Sequence, residues 1–172
     1  MDPELVARLS SGDGRHLLDT LPPYAAASAL ALTSQLRAAG RDPDLVTAVL
    51  AQSRLRALAS DKFGERAATM LFTADGLEQA TRPQLAARHA ERFAAAGIGQ
   101  VADLGCGIGS DAMAFAEAGL SVDALDVDPV TAAIASSNLK PWPAAVARAG
   151  QATQVSLPSR VSGRHTGVWV DP

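Results

Sequence analysis

The sequence predicts an α/β fold: a partial parallel sheet wound with helices, preceded by an all-helical N-terminal region. Three observations carry this. From Gly97 onward, short β-type runs alternate with helical runs, as parallel strands joined by crossover helices do. A glycine-rich loop, Gly105-Cys106-Gly107-Ile108-Gly109, falls between the first of these strands and the next helix. Residues 1 to about 80, by contrast, carry only helical signals. The reading is therefore a helical region over 1–80 and a sheet domain over 81–172.

Three Asp-Pro pairs mark helix starts: Asp2-Pro3, Asp42-Pro43 and Asp128-Pro129. The Asp side chain caps free amides, and Pro at the first helical position has no amide to leave unpaired. After Asp42-Pro43, Leu45, Val46, Val49, Leu50, Leu55 and Leu58 form a helical stripe. Before it, Tyr24, Leu30, Leu32 and Leu36 lie in an Ala-rich helical run that Gly40 ends. A further helix is expected over Lys62–Leu71, then a connector, Phe72 to Gly76, with an Asp-Gly turn signal. Residues 1 to about 70 are expected to form a bundle that does not join the sheet.

Thr81-Arg82-Pro83 opens a helix through about Ala95, on which His89 reads as a packed histidine rather than a base. Gln100–Leu104 is a first strand, followed by the glycine loop and a helix from Asp111 to Ala118 that Gly119 ends. Ser121–Leu125 is a second strand, and Asp128-Pro129 starts a helix through about Asn138. Ala145–Ala149 is a third strand and Gly167–Val170 a fourth, with mostly loop between Gly150 and Thr166.

Bulk composition narrows the class. The 172 residues are 48% hydrophobic and 19% charged, with a formal net charge of −3. That suits a globular chain and argues against a strongly basic nucleic-acid surface. Cys106 is the single cysteine, so no internal disulfide forms, which fits a cytoplasmic protein. The acidic start, Met1-Asp2-Pro3-Glu4, lacks a signal-peptide pattern, and Arg37, Arg41 and Asp42 interrupt the best apolar stretch, so no membrane association is expected.

The chemistry concentrates at Asp103-Leu104-Gly105-Cys106-Gly107-Ile108-Gly109. Glycines let the backbone turn sharply and let a ligand come close. A helix N-terminus presents free amides and a partial positive charge. Asp103 discriminates between ligands: a carboxylate here repels a pyrophosphate but accepts from an ammonium. Asp126, 21 residues after Gly105, stands where an acid accepts from ribose hydroxyls, with Val127 beside it. Asp128 reads as a helix cap. Cys106 reads as a small apolar filler rather than a nucleophile, since no neighbouring base lowers its pKa.

Val101 through Asp111 resembles motif I of the class I S-adenosylmethionine (SAM) dependent methyltransferases, and Val122 through Asp126 resembles their second motif. Phe72 through Pro83, followed by this motif, resembles bacterial methyltransferases with a THUMP-like C-terminal domain, relatives of the trimethylguanosine synthase group. The likeness covers roughly residue 55 to the end. It implies a Rossmann-like sheet of strand order 3-2-1-4, SAM as cofactor and RNA as substrate. It further implies Asp103, Gly105, Cys106, Gly107, Gly109, Asp126 and Val127 around SAM, with Thr81 and Arg82 closing over it. Where the family places an acid near the adenine, this chain has Gln151. Trp169-Val170-Asp171-Pro172 resembles the start of the catalytic Asp-Pro motif, with Asp171 orienting an amino group of a base; the alternative is a strand ending in a turn.

The resemblance also implies further strands beyond Pro172. The expectation is an incomplete enzyme whose fourth strand, Val168, Trp169 and Val170, is an open edge prone to self-association. Weak SAM binding, poor solubility and no methyl transfer would follow. The rival functions are a truncated, non-catalytic SAM-binding fragment and a nicotinamide-dependent oxidoreductase using the same loop; Asp103 argues against the latter.

Overall fold

A computed structural model describes residues 1–154, 160–161 and 164–170. The chain divides into two compact units, Met1–Phe72 and Thr73–Pro172. Among the described residues, no helix is long and apolar enough to cross a membrane.

The first unit contains α1 (Pro3–Ser10), α2 (Gly12–Thr20), α3 (Ala29–Ala38) and α4 (Pro43–Phe63), and no described residue of it lies in a strand. Asp2 and Asp42 cap α1 and α4 as expected: Asp2 accepts from the Leu5 amide at 2.8 Å and Asp42 from the Asp44 amide at 3.0 Å. The core joins Val6 and Leu9 of α1, Leu17 and Leu18 of α2, and Leu45, Val46, Val49 and Phe63 of α4. The helices α1 and α2 meet closely at Gly14, where a Cβ would lie 2.4 Å from the Arg8 carbonyl oxygen.

Three details depart from the sequence reading. The buried face of α4 runs through Leu45, Val49, Gln52, Ala59 and Phe63, a rotation that leaves Leu58 exposed. On α3 no residue is fully buried: Leu32 and Leu36 are half-buried, and Leu30 is 79% exposed. The expected helix over Lys62–Leu71 is instead the last turn of α4, a stop at Gly64 (φ +59°), and a 3-10 turn, Gly64–Ala68. Met70, Leu71 and Phe72 then run buried without regular structure. Gln52 holds them there, donating from Nε2 to the Phe72 carbonyl at 2.7 Å and accepting from the Phe72 amide at 2.9 Å.

The second unit begins with α5 (Ala74–Gln79), where the sequence reading placed a turn. Thr73 caps this helix through the Gly76 amide at 2.9 Å, so Asp75-Gly76 lies in a helical first turn. There follow α6 (Pro83–Ala95), β1 (Ile98–Leu104), α7 (Ser110–Glu117), β2 (Ser121–Asp126), α8 (Pro129–Asn138), β3 (Ala145–Ala149), β4 (Arg160–Val161) and β5 (Arg164–Val170). The sheet order is β3-β2-β1-β5-β4. The four strands expected from sequence are parallel and in the order expected, the fourth of them being β5. The added strand β4 runs antiparallel to β5, pairing Arg160 with His165 and Val161 with Arg164, inside the stretch read as loop.

Central β1 buries Val101, Ala102 and Asp103 in succession, as a strand covered on both faces does. On β5 the sides differ: Val168 and Val170 are 49% and 58% exposed, while Trp169 faces the aromatic rings of Phe93 and Phe115. Gly167 lets α6 close on β5, since a Cβ there would lie 2.7 Å from the Phe93 ring.

Candidate functional site

The site grows from the ends of β1 and β2. The register sets Asp103 of β1 beside Ala124 of β2 and Trp169 of β5. The chain then turns through Gly105 (φ +88°), Gly107 (φ +55°) and Gly109 (φ +87°), a left-handed path that glycine takes without the Cβ penalty. Gly109 is the N-cap position of α7.

Most of the loop amides are already used by the protein. Gly105 and Cys106 both donate to the Leu125 carbonyl at 2.8 Å, and Gly109 donates to the Cys106 carbonyl at 2.9 Å. Gly107 donates to Asp126 Oδ2 at 3.0 Å. The loop is thus stitched to the end of β2, and its glycines serve the backbone path more than a direct amide cradle.

A cleft of about 460 Å³ opens beside the loop. It is lined by α5 and the residues after it (Gly76, Gln79, Ala80, Thr81), by Asp103 and the loop, by Ser110 and Asp111 of α7, and by Trp169. Two contacts fix the wall. A Cβ on Gly76 would lie 2.4 Å from Ile108 Cγ2, so α5 presses directly on the loop. Ser110 donates from its hydroxyl to the Thr81 carbonyl at 2.7 Å. Behind the loop, the buried Asn138 amide donates to the Ile108 carbonyl at 2.9 Å.

Two acids stand in this cleft, Asp103 at 1% exposure and Asp111 at 6%, and no Lys or Arg is among the described residues lining it. Asp111 lies 2.8 Å from His89 Nδ1. The His89 ring in turn rests on the Trp169 indole, centroids 4.4 Å apart. His89 is therefore packed, as read from sequence, and it couples an acid to an aromatic wall. Trp169 Nε1 is buried and has no hydrogen-bond partner. A volume of this size suits a nucleoside-sized ligand, and buried acids suit a cationic one.

Burial, then the nearby Asp103 and Asp126, push the Cys106 thiol well above its ordinary value. Such a thiol is inert, in keeping with the filler role.

Of the residues singled out from sequence, the cleft gathers Asp103, Gly105, Cys106, Gly107 and Thr81. Gly109 lies behind it as the cap of α7. Asp126 is not on the wall; its two oxygens accept from the amides of Gly107 and Asp128. Val127 is 73% exposed and Gln151 is exposed, both near the Asp126 backbone, whose carbonyl takes the Gly150 amide at 2.9 Å. Asp171 and Pro172 lie outside the described residues. Sequence reasoning missed Gly76, Asp111 and Trp169 as wall residues. For Gly76 a signal existed: a glycine three residues after Thr73, the N-cap.

Comparison with known proteins fits this geometry. A family model described as a domain of unknown function (DUF8688) matches residues 2–59. No curated protein matches the chain by sequence. Among solved structures, a protein from Porphyromonas gingivalis described as a "putative methyltransferase" aligns with a TM-score of 0.57 at 19% identity, over 77% of this chain and 38% of that one. The chain thus spans under two fifths of that protein's length. Coclaurine N-methyltransferase bound to N-methylheliamine and SAH aligns over 97% of this chain and 52% of its own, at 12% identity. Its TM-score of 0.41 is too low to carry an argument. The strand order and the first likeness together establish a Rossmann-like α/β fold.

Proposed function

We propose that the cleft binds SAM and that the protein serves methyl transfer to RNA, with a base nitrogen as acceptor. The observation that carries the SAM reading is the charge of the wall: two buried carboxylates, Asp103 and Asp111, with no Lys or Arg among its described lining residues. A pyrophosphate would be repelled there, whereas the ammonium and sulfonium of SAM are attracted. Asp103 is the ammonium acceptor. Trp169 Nε1 is a buried donor suited to the carboxylate of the same amino acid. Asp126 keeps one lone pair on each oxygen after taking two amides, enough to accept from ribose hydroxyls. Val127 and Gln151 flank that position, and Thr81 borders the cleft.

SAM, held by Asp103, Trp169 and Asp126, would supply an electrophilic methyl group for transfer. The chain's own part is to hold and orient. Asp171 is the proposed partner of the acceptor's amino proton. RNA and Asp171 rest on the resemblance of Phe72–Pro83 and Trp169–Pro172 to bacterial RNA methyltransferases.

Calorimetry with S-adenosylhomocysteine and with NAD tests the cofactor. Saturable binding of the former alone is expected; binding of NAD alone overturns the reading. Asp126→Ala should weaken binding by about 1–3 kcal/mol, the usual cost of a lost charge-assisted hydrogen bond. Unchanged affinity would remove Asp126 from the site.

A further inference from the structure

The first unit holds a second cavity, of about 780 Å³, that the cofactor cleft does not use. Its wall is formed by α2, the segment Leu21–Tyr24, α4 and the turn Gly64–Ala68. Two arginines reach it. Arg15 donates from Nε to Asp19 Oδ2 at 2.6 Å and from Nη1 to the Thr69 carbonyl at 3.1 Å. Arg56 donates from Nε to the Met70 carbonyl at 2.9 Å and from Nη1 to Asp19 Oδ1 at 3.1 Å.

One carboxylate thus serves two guanidinium groups, and the cluster keeps an excess positive charge. Arg56 Nη2 is buried and has no hydrogen-bond partner, on a side chain only 10% exposed. Burial, together with the neighbouring Arg15, works against the Arg56 charge even though Asp19 supports it. A desolvated guanidinium nitrogen with unmet N–H groups is costly unless an acceptor arrives. Glu65 also borders the cavity, but it is exposed, so water screens its charge. Leu18, Pro22 and Tyr24 give the cavity an apolar side facing this cluster.

We propose that this cavity binds a small organic anion, a phosphate monoester or carboxylate on a flat apolar body. A small opening of the wall brings the oxyanion to Arg56 Nη2, which is closed to water in this structure, and the body lies against Leu18, Pro22 and Tyr24.

The test is titration of the 15N-labelled full chain with phenyl phosphate, benzoate and neutral phenol, following the arginine Nε–Hε resonances. Saturable shifts of Arg56 and Arg15 are expected with an anion and not with phenol, at a dissociation constant on the order of 1 mM. The tighter of phenyl phosphate and benzoate identifies the oxyanion. Arg56→Lys keeps a charge but loses the forked donor, and should weaken binding about tenfold or more. Should that variant fail to fold, Ala57→Glu carries the test: Ala57 is an exposed residue of the same wall, and a carboxylate there would occupy the cation. It should abolish binding while the protein stays folded. No saturable shift with either anion, or undiminished affinity in folded Ala57→Glu, overturns the proposal.

Discussion

The two units bury polar groups in opposite ways. In residues 1–72 the buried polar residue is Gln52, and both ends of its amide are taken by the Phe72 backbone. It is a structural clamp that closes two backbone hydrogen bonds. In the second unit the buried polar residues are Asp103, Ser110, Asp111 and Asn138, and the first three line one cleft. Burying a carboxylate costs far more than burying a satisfied amide. Two buried acids on one wall therefore mark a place where function, not stability, decided the residue. The difference separates an amide that closes backbone hydrogen bonds inside a core from carboxylates buried along the wall of a cleft.

The largest expected effect breaks the clamp. Gln52→Leu leaves the Phe72 amide and carbonyl unmet in the core, at a cost of about 2–6 kcal/mol for two orphaned groups. Hydrogen exchange should speed up across residues 1–72 more than across the strands of the second unit. Equal acceleration in both units would show that they unfold as one body and that the contrast drawn here is only local.

The complementary change acts on the other side. Asp103→Asn removes the charge but keeps the volume. It should weaken S-adenosylhomocysteine binding by roughly 10–100-fold, the worth of a charge-assisted bond. Exchange in residues 1–72 should stay as it was. A variant that binds normally would mean that the acid at the end of β1 serves the fold alone.

The parts legible in the sequence were those that local chemistry writes. The three left-handed glycines lie within five residues, and Asp128 caps α8 through the Thr131 amide three residues on. The parallel strands followed from a pattern of alternating elements, and their order from the resemblance. The parts that were not legible depend on distant surfaces. Gly76 is needed because Ile108, far along the chain, presses on it. The Asp111–His89–Trp169 arrangement joins α7, α6 and β5. The turn reading at Asp75-Gly76 lost to the Thr73 cap two residues earlier. The leucine stripe on α3 has the right period, but period cannot say how deeply a partner surface covers it. The loop amides look free in a motif, yet the Leu125 carbonyl and Asp126 take three of them.

The smallest expected effect compares the same device in the two units. Asp42 and Asp128 both cap a helix that begins with Pro. Both carboxyls sit below their ordinary value: Asp42 through its hydrogen bond from Arg8 and then the Asp44 amide, Asp128 through the Thr131 hydroxyl and then the Thr131 amide. A folded-state pKa below the unfolded value of about 3.9 means stability that is present above that pH. It is lost as pH falls through the lower, folded value. Asp128→Ala should therefore cost about 1 kcal/mol at neutral pH, a typical cap. The difference from the native chain should shrink as pH falls below the unfolded value and vanish only below the lower, folded one. Asp42→Ala should show the same pH dependence with one distinction. Its main partner is the charge of Arg8 on α1, so added salt should shrink its effect. The partners of Asp128 are neutral, so salt should leave its effect in place. Denaturant melts of both variants at low and high salt read this directly. If salt weakens both alike, Asp128 answers to a charge beyond its cap, and the two helix starts are not the same device in different surroundings.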